Sequence, residues 1–537
     1  MSRPCYYREA APGSTERITC EVAIYGGTPA GVAAAIAAGR AGRNTLLLSF
    51  NDHVGGITSG GLTATDVGHA DAIGGLALDF YPRIGKLRDF RPSEAEALYR
   101  TMLDEAGVTV RVQQHLESAD LRDNRIVSIG MLTGETITAS MFIDATYEGD
   151  LMAAAGVPHR VGREPRDAFH ESLGGQMPRS AWGHVYQFCG LPVSPYVVAD
   201  DPASGLLPEV SPDRPTAPGM GDYRMQAYNF RTHLSTAANR VPFPQPAGYD
   251  RERYALLARF LNSDADVYWT LDYTTRPMTD GPVQMRNGDS NNAGSFSTDY
   301  VGGSYRWADG TYAPDVYADL PAPRRGWAMP PRALYALRER AFQDHVTYHQ
   351  GLLFFLANDP RVPRDLQERV QAYGLDRAEF AATGHWPHAL YVREARRMVA
   401  DYIVTQHDVE STRTVDDSIG LASYPMDCHF CQRVVVDENG HPTVRHEGGF
   451  SQACPRPYPI AYRAIVPQRD ACANLLVPVC LSASHVAYGS IRMEPVFMIL
   501  GQSAGAAACL AMEDDVPVQD VKYAALKHRM LAGSQRL

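Results

Sequence analysis

Among the 17 histidines of this 537-residue chain, two have neighbours suited to proton transfer. His429 lies two positions after Asp427 in Tyr424-Pro425-Met426-Asp427-Cys428-His429. A carboxylate beside an imidazole can fix its tautomer, and imidazole titrates near neutral pH. His485 closes Ser482-Ala483-Ser484-His485, shortly before a long apolar stretch. His429 and His485 are therefore the candidate acid or base, with Asp427 as orienting group; the choice between them stays open. Cys428-His429-Phe430-Cys431 is a lone CxxC. Zinc needs a second ligand pair, and none stands at suitable spacing, so no metal is expected. A redox dithiol and two incidental thiols are the remaining readings.

Three further stretches mix hydrogen-bonding, aromatic and cationic groups. They are Gln226-Ala227-Tyr228-Asn229-Phe230-Arg231, Asn291 to Tyr300, and His385 to Arg393. Such mixtures suit a polar, hydroxylated or anionic small molecule. The candidate substrate contacts are Gln226, Tyr228, Asn229, Arg231, Asn292, His388, Tyr391 and Arg393. A competing reading makes Arg393, Glu394, Arg396 and Arg397 the salt-bridged face of a helix over 388–407.

These residues need a scaffold. The apolar run 18–25, the turn Gly26-Gly27-Thr28-Pro29-Ala30-Gly31, the alanine-rich stretch 32–42 and the apolar run 45–49 read as strand, turn, helix, strand. That is the opening of a doubly wound sheet with a dinucleotide turn. Gly26 allows the tight turn and Gly31 the close packing of helix on strand. The helix N-terminus then offers free N–H groups and a positive dipole end to a pyrophosphate. Thr28 replaces the usual second glycine, and its hydroxyl is a candidate phosphate donor. Ser49, helped by Asn51, stands where an acid normally holds the ribose. The stretch 53–62 has two glycine pairs, which let backbone lie against a flat ring or a phosphate; this favours FAD over NAD. Further on, 92–106 reads as a helix and 108–112, 126–132 and 137–143 as strands. Helices are expected at 250–262, 330–357 and 495–512, and a buried strand at 475–479. Residues 1–17 read as a loose leader.

Composition narrows the classes. Lys plus Arg is 50 against 61 Asp plus Glu, a net charge of −11. With no basic run, neither nucleic acid nor an anionic membrane is expected as partner. Nine cysteines, an odd number mostly standing alone, fit reduced thiols in a cytoplasmic protein. The polar N-terminus lacks a secretory core, and no membrane span is expected. Oligomeric state is open, a homo-oligomer among the options.

Four segments carry a family resemblance. They are YGGTPAGVAAAIAAGRAG with HVGGITSGGLTATD (25–66), FIDATYEGDLMAAAGVPHRVGRE (142–164), HWPHALYVREARRMVADYIVTQHD with SIGLASYPMDCHFCQR (385–433), and YPIAYRAIVP with NLLVPVCLSASHVAYGSIRMEPVFMILGQSAG (458–505). The chain resembles the FAD-dependent oxidoreductases labelled xanthan lyase-like, among glutathione-reductase-type flavoproteins. The resemblance implies an α/β fold: a Rossmann-like FAD-binding domain split in sequence (18–165 and 431–515), an inserted α+β substrate domain (166–430) and a tail (516–537). It implies FAD contacts from Gly26, Gly27, Thr28, Pro29, Ala30 and Gly31 at the pyrophosphate, and from Ser49 and Asn51 at the ribose. Gly55, Gly56, Ser59, Gly60 and Gly61 would border the ribityl chain and flavin, with Leu116 near adenine. Ala145, Thr146 and Asp150 would lie beside the nucleotide. Ser484, Ser490, Arg492, Met493 and Glu494 would precede or open the flavin-facing helix. The implied activity is hydride transfer between a polar organic substrate and flavin N5. A redox-neutral lyase or isomerase, a monooxygenase and a non-enzymatic flavin scaffold are the rivals.

Overall fold

In the computed structural model, residues 3–9, 13–85, 87, 90–177, 188–213, 217–263, 300 and 330–537 are described. The candidate Asn292 lies outside them.

The strand Val22–Tyr25 is apolar and wholly buried. Continuous apolar runs of this kind belong to parallel sheets covered on both faces. It lies at the centre of a five-stranded parallel sheet, ordered Leu475–Leu476, Met141–Asp144, Val22–Tyr25, Thr45–Leu48, Thr109–Arg111. Tyr25 pairs with both Leu48 and Asp144, so three strand ends open at one level. The turn at Gly26 leads straight into the helix Pro29–Arg40. This mixed α/β arrangement with a parallel sheet fits a Rossmann-like FAD-binding fold.

Two expected strands are each divided. Arg17–Thr19 joins a four-stranded sheet with Thr136–Thr138, Arg125–Met131 and Leu116–Arg122, while Val22–Tyr25 enters the parallel sheet. The run 137–143 divides in the same way. Both chains change sheet at one place, where the Ser140 and Met141 N–H groups donate to the Glu21 carbonyl. The strand expected at 475–479 pairs only over Leu475–Leu476. Pro478 follows two residues later and has no N–H for a ladder.

The long helix Glu494–Glu513 packs across Pro29–Arg40. A Cβ on Gly501 would meet the Ala30 carbonyl oxygen at 2.0 Å, and one on Gly505 the Ala34 oxygen at 2.4 Å. Residues 495–512 are uncharged, so by length and composition this helix, contrary to the sequence reading, qualifies as a membrane span. Its window is 94% buried inside the fold, which makes it a core helix here.

Two other expectations need correction. No helix spans 388–407. The chain there is extended, with a short strand Arg397–Met398 and one turn of helix at Gln406–Val409. The leader is docked: the Tyr6 and Tyr7 N–H groups donate to Glu339 on the helix Pro331–Asn358, and both rings are buried. The tail forms a helix, Tyr523–Ala532, against Glu494–Glu513, and Gln535 donates to the Ile499 carbonyl. Pro92–Glu105 and Pro331–Asn358 form as read; the region 250–262 forms as the short 3-10 turn Arg251–Tyr254 and helix Ala255–Leu261.

Gly501→Ala should destabilise the protein by about 1–3 kcal/mol, because the added methyl faces backbone that cannot yield. Denaturant unfolding and flavin content measure this. Wild-type values for both would contradict the packing described.

Candidate functional site

The turn is built so that backbone approaches backbone. Gly26 has φ +115°, and a Cβ there would lie 2.5 Å from the Ala145 carbonyl carbon. A Cβ on Gly31 would lie 1.9 Å from the Gly26 oxygen. Thr28 caps the helix: its hydroxyl accepts from the Gly31 N–H at 3.3 Å and donates to the Ala145 carbonyl at 2.7 Å. Its proton is therefore spent within the protein, which corrects the phosphate-donor reading. Pro29 occupies a position where an N–H would have had no helical partner.

A cleft opens over this turn, lined by Gly27, Thr28, Ser49, Phe50, Asn51, Gly56, Tyr147, Glu148 and His388, and also by Tyr6 and Phe342. Ser49 donates to the His53 carbonyl at 2.7 Å, and the Asn51 side chain accepts from the His53 N–H at 3.0 Å. The Glu148 Oε2 is buried, with no hydrogen-bond partner among the described residues. An acceptor in that position suits a ribose or ribityl hydroxyl. A glycine turn with no room for side chains, a helix N-terminus and this acceptor together fit FAD. Leu116 instead lies in the core, its N–H donating to the Tyr25 hydroxyl. Asp150 is ion-paired with Arg338 and Arg396. Ala145 lies against Gly26, and Thr146 donates to Asp144.

The glycine pairs continue the cleft. Gly55, Gly56 and Gly61 have positive φ. A Cβ on Gly56 would strike the Tyr147 hydroxyl. That hydroxyl accepts from the Ile57 N–H at 3.1 Å and donates to Glu494 at 3.0 Å. Glu494 opens the long helix, whose cap residue is Met493. Burial raises the Glu494 carboxyl to about 8, against the lowering pull of Tyr147 and Arg492. Ser59 donates to the Val54 carbonyl; a Cβ on Gly60 would strike Ala389, and one on Gly61 the Arg231 carbonyl.

Arg231 leads into a buried polar cluster. His485 Nδ1 is 2.9 Å from Glu394, which is also bound by Arg397 and by the Gln226 amide at 3.1 Å. The Tyr228 hydroxyl donates to the Glu394 carbonyl. The Gln226 side-chain oxygen accepts from the His429 N–H, which ties both histidines into one network. His429 Nε2 lies 3.5 Å from Asp427, and Arg492 donates to the same carboxylate at 3.2 Å. Burial would raise the Glu394 carboxyl, but His485, Arg397 and Gln226 together hold it below its ordinary value. Asp427 is likewise lowered: His429, Arg492 and Arg393 outweigh burial. His485 Nε2 has no hydrogen-bond partner among the described residues. A carboxylate on one nitrogen and an open second nitrogen is the arrangement of a general acid or base.

Tyr391 is the other centre. Its backbone pairs with Asn229, and the guanidinium groups of Arg231, Arg393 and Arg492 lie 4.9, 5.0 and 5.8 Å from its ring centre. Any two are then at most about 11 Å apart, where like charges repel by about 1.5 kcal/mol at an effective dielectric of about 20.

The match to known proteins follows. Residues 21–530 fit the family described as FAD dependent oxidoreductase. The chain belongs to that family. It is an FAD-dependent oxidoreductase, and FAD is its cofactor. No curated protein matches. Solved structures similar in part include a thioredoxin reductase from Giardia duodenalis (21% identity, 24% of this chain and 36% of that one, TM-score 0.18). Others are THI4 from Thermovibrio ammonificans (18%, 26% and 64%, 0.22) and 3-ketosteroid-delta4-(5alpha)-dehydrogenase from Rhodococcus jostii RHA1 (14%, 27% and 50%, 0.21). This oxidoreductase therefore spans under two thirds of the length of each.

Several expected residues change place. Arg492, expected at the cofactor, belongs to the polar cluster. His388, expected at the substrate, lines the cleft over the glycine turn. Its ring stacks on His53 at 3.6 Å between centres, and burial with the His53 charge lowers it to about 3, so it is neutral. Ser484 caps the helix His485–Ile491 and donates to Glu171. Ser490 donates to the Tyr424 carbonyl. Cys428 is fully buried and its thiol is raised, chiefly by burial; the CxxC carries no disulfide. Tyr6, His53, Tyr147 and Glu394 were not among the expected site residues. Tyr147 was findable from its place after Asp144-Ala145-Thr146, whereas Tyr6 gave no local signal.

Glu494 sets a pH dependence. Its pKa is higher folded than unfolded, so folded protein holds the extra proton between about 4.5 and 8 and loses stability as pH rises through that window. With saturating FAD, the wild-type Tm should fall from pH 5 to 8, and that of Glu494→Gln should fall less. Parallel curves would contradict this.

Proposed function

We propose that this enzyme transfers hydride between a polar small organic substrate and flavin N5, with His485 as acid or base. The supporting observation is the His485–Glu394 pair, buried and open at Nε2, in a cluster that reaches the glycine stretch through Arg231. Bound FAD supplies the two-electron chemistry. The turn at 26–31, Ser49, Asn51, Gly56 and Glu148 would hold it. Glu394 orients His485 through Nδ1. Asn229, Arg231, Tyr391, Arg393 and Arg492 would hold polar groups of the substrate. Burial of all of these keeps bulk water from the transferred proton. His429 is the weaker candidate: its 3.5 Å contact is long, and Arg492 shares Asp427.

We further read the fold as the glutathione-reductase type with 166–430 inserted. In support, Leu475–Leu476 joins the sheet begun by Val22–Tyr25, more than 440 residues earlier. Free thiols support a reducing compartment such as the cytoplasm.

Anaerobic mixing with a panel of alcohols, sugars and hydroxy acids should bleach the flavin for at least one compound. His485→Gln should slow that bleaching about 10²–10⁴-fold while FAD content stays at the wild-type level. An unchanged rate would remove His485 from the mechanism.

A further inference from the structure

We infer that the leader is part of the FAD site: residues 3–9 form a strap at the cleft over the glycine turn, latched by Glu339, and FAD enters or leaves when the latch opens. This rests on the placement of FAD at residues 26–31, Ser49, Asn51 and Glu148, and adds how that site is closed.

The first support is position. Cys5 and Tyr6 line the cleft together with Gly27, Ser49 and Asn51. The Tyr6 ring lies 5.3 Å from that of Phe50, the residue after Ser49. The strap therefore meets the cleft where the second strand of the dinucleotide turn ends, which is the ribose end of the adenosine half. The Tyr7 ring anchors beside it, 4.9 Å from His115 and 5.6 Å from Tyr335. The family match begins at residue 21, so the strap lies outside it.

The second support is a shared carboxylate. Arg338 can only donate, so the Tyr6 hydroxyl accepts from it at 3.1 Å and gives its own proton to Glu148 Oε1 at 3.2 Å. The other oxygen of that carboxylate is the buried acceptor with no hydrogen-bond partner among the described residues. One residue of the strap thus holds the group that is offered to a cofactor hydroxyl.

The third support is the latch. Residues 3–9 contain no helix or strand. The Tyr6 and Tyr7 N–H groups both donate to Glu339 Oε2, at 2.7 and 2.8 Å. Gln343 donates to the Pro4 carbonyl at 2.7 Å and to Glu339 Oε1 at 2.8 Å. The two tyrosine rings are buried, whereas Arg3, Arg8 and Glu9 are exposed. A segment whose backbone is held by one carboxylate and one amide can lift without unfolding a regular element. Neither Glu339 nor Gln343 lines the cleft, so each can act on FAD only through the strap.

The test uses FAD-loaded protein. Exchange of bound FAD for radiolabelled FAD gives the dissociation rate, and flavin fluorescence on serial dilution gives the Kd. Glu339→Ala keeps the helix, since alanine is the best helix former. It should raise the dissociation rate about tenfold and the Kd by a smaller factor, because a latch that opens more often speeds entry as well as exit. An unchanged dissociation rate, or a Kd that rises as far as the rate, overturns the strap. If Glu339→Ala fails to fold, Gln343→Ala serves in its place. Asn51→Ala checks the placement beneath: as a lost cofactor contact, it should raise rate and Kd together. If it moves neither, FAD is not held in this cleft, and the placement fails rather than the latch.

Discussion

A fully buried carboxylate at Glu394 constrains this site more than any other group. Removing a carboxylate from water costs several kcal/mol unless cations and donors surround it. Here they come from distant parts of the chain: Arg397 three residues on, Gln226 before it, and His485 near the end. Each partner is then fixed by a further contact. Arg397 also binds Glu164, whose second oxygen accepts from the His485 N–H. Gln226 holds the His429 backbone. One charge that must be neutralised thus draws together segments that share no secondary structure. The same contacts leave His485 with one nitrogen bound and one open.

The parallel sheet provides the second anchor. Gly501 and Gly505 allow Glu494–Glu513 to lie on Pro29–Arg40 at backbone distance. The N-terminus of that helix then falls beside Tyr147 and the glycine stretch. The cofactor cleft and the polar cluster meet where Gly60 and Gly61 touch Ala389 and Arg231. A side chain at either glycine would push the two regions apart.

The sequence displayed the parts whose requirements are local. A strand, Gly26, Gly31 and a helix declare a dinucleotide turn within a dozen residues. The polar residues 226–231, 391–393 and 427–429 were legible as chemistry by their types, and they do converge. What could not be read was pairing over long separations. Arg393, Glu394, Arg396 and Arg397 have helical spacing, yet each faces a different partner: Asn229, His485, Asp150 and Glu164. Those contacts override local propensity and keep the chain extended. Arg492 shows the same limit: its neighbour Glu494 opens the helix while its own side chain turns to Asp427. Tyr6 was hidden because a docked leader has no periodicity to reveal it.

The central claim is that Glu394 and His485 act as one unit in proton transfer. A double-mutant cycle on the anaerobic flavin reduction rate tests it, using wild type, Glu394→Gln, His485→Gln and the double variant. The account predicts that the double variant is no slower than His485→Gln alone, because an absent base needs no orientation. Losses that multiply would show two independent roles and contradict it.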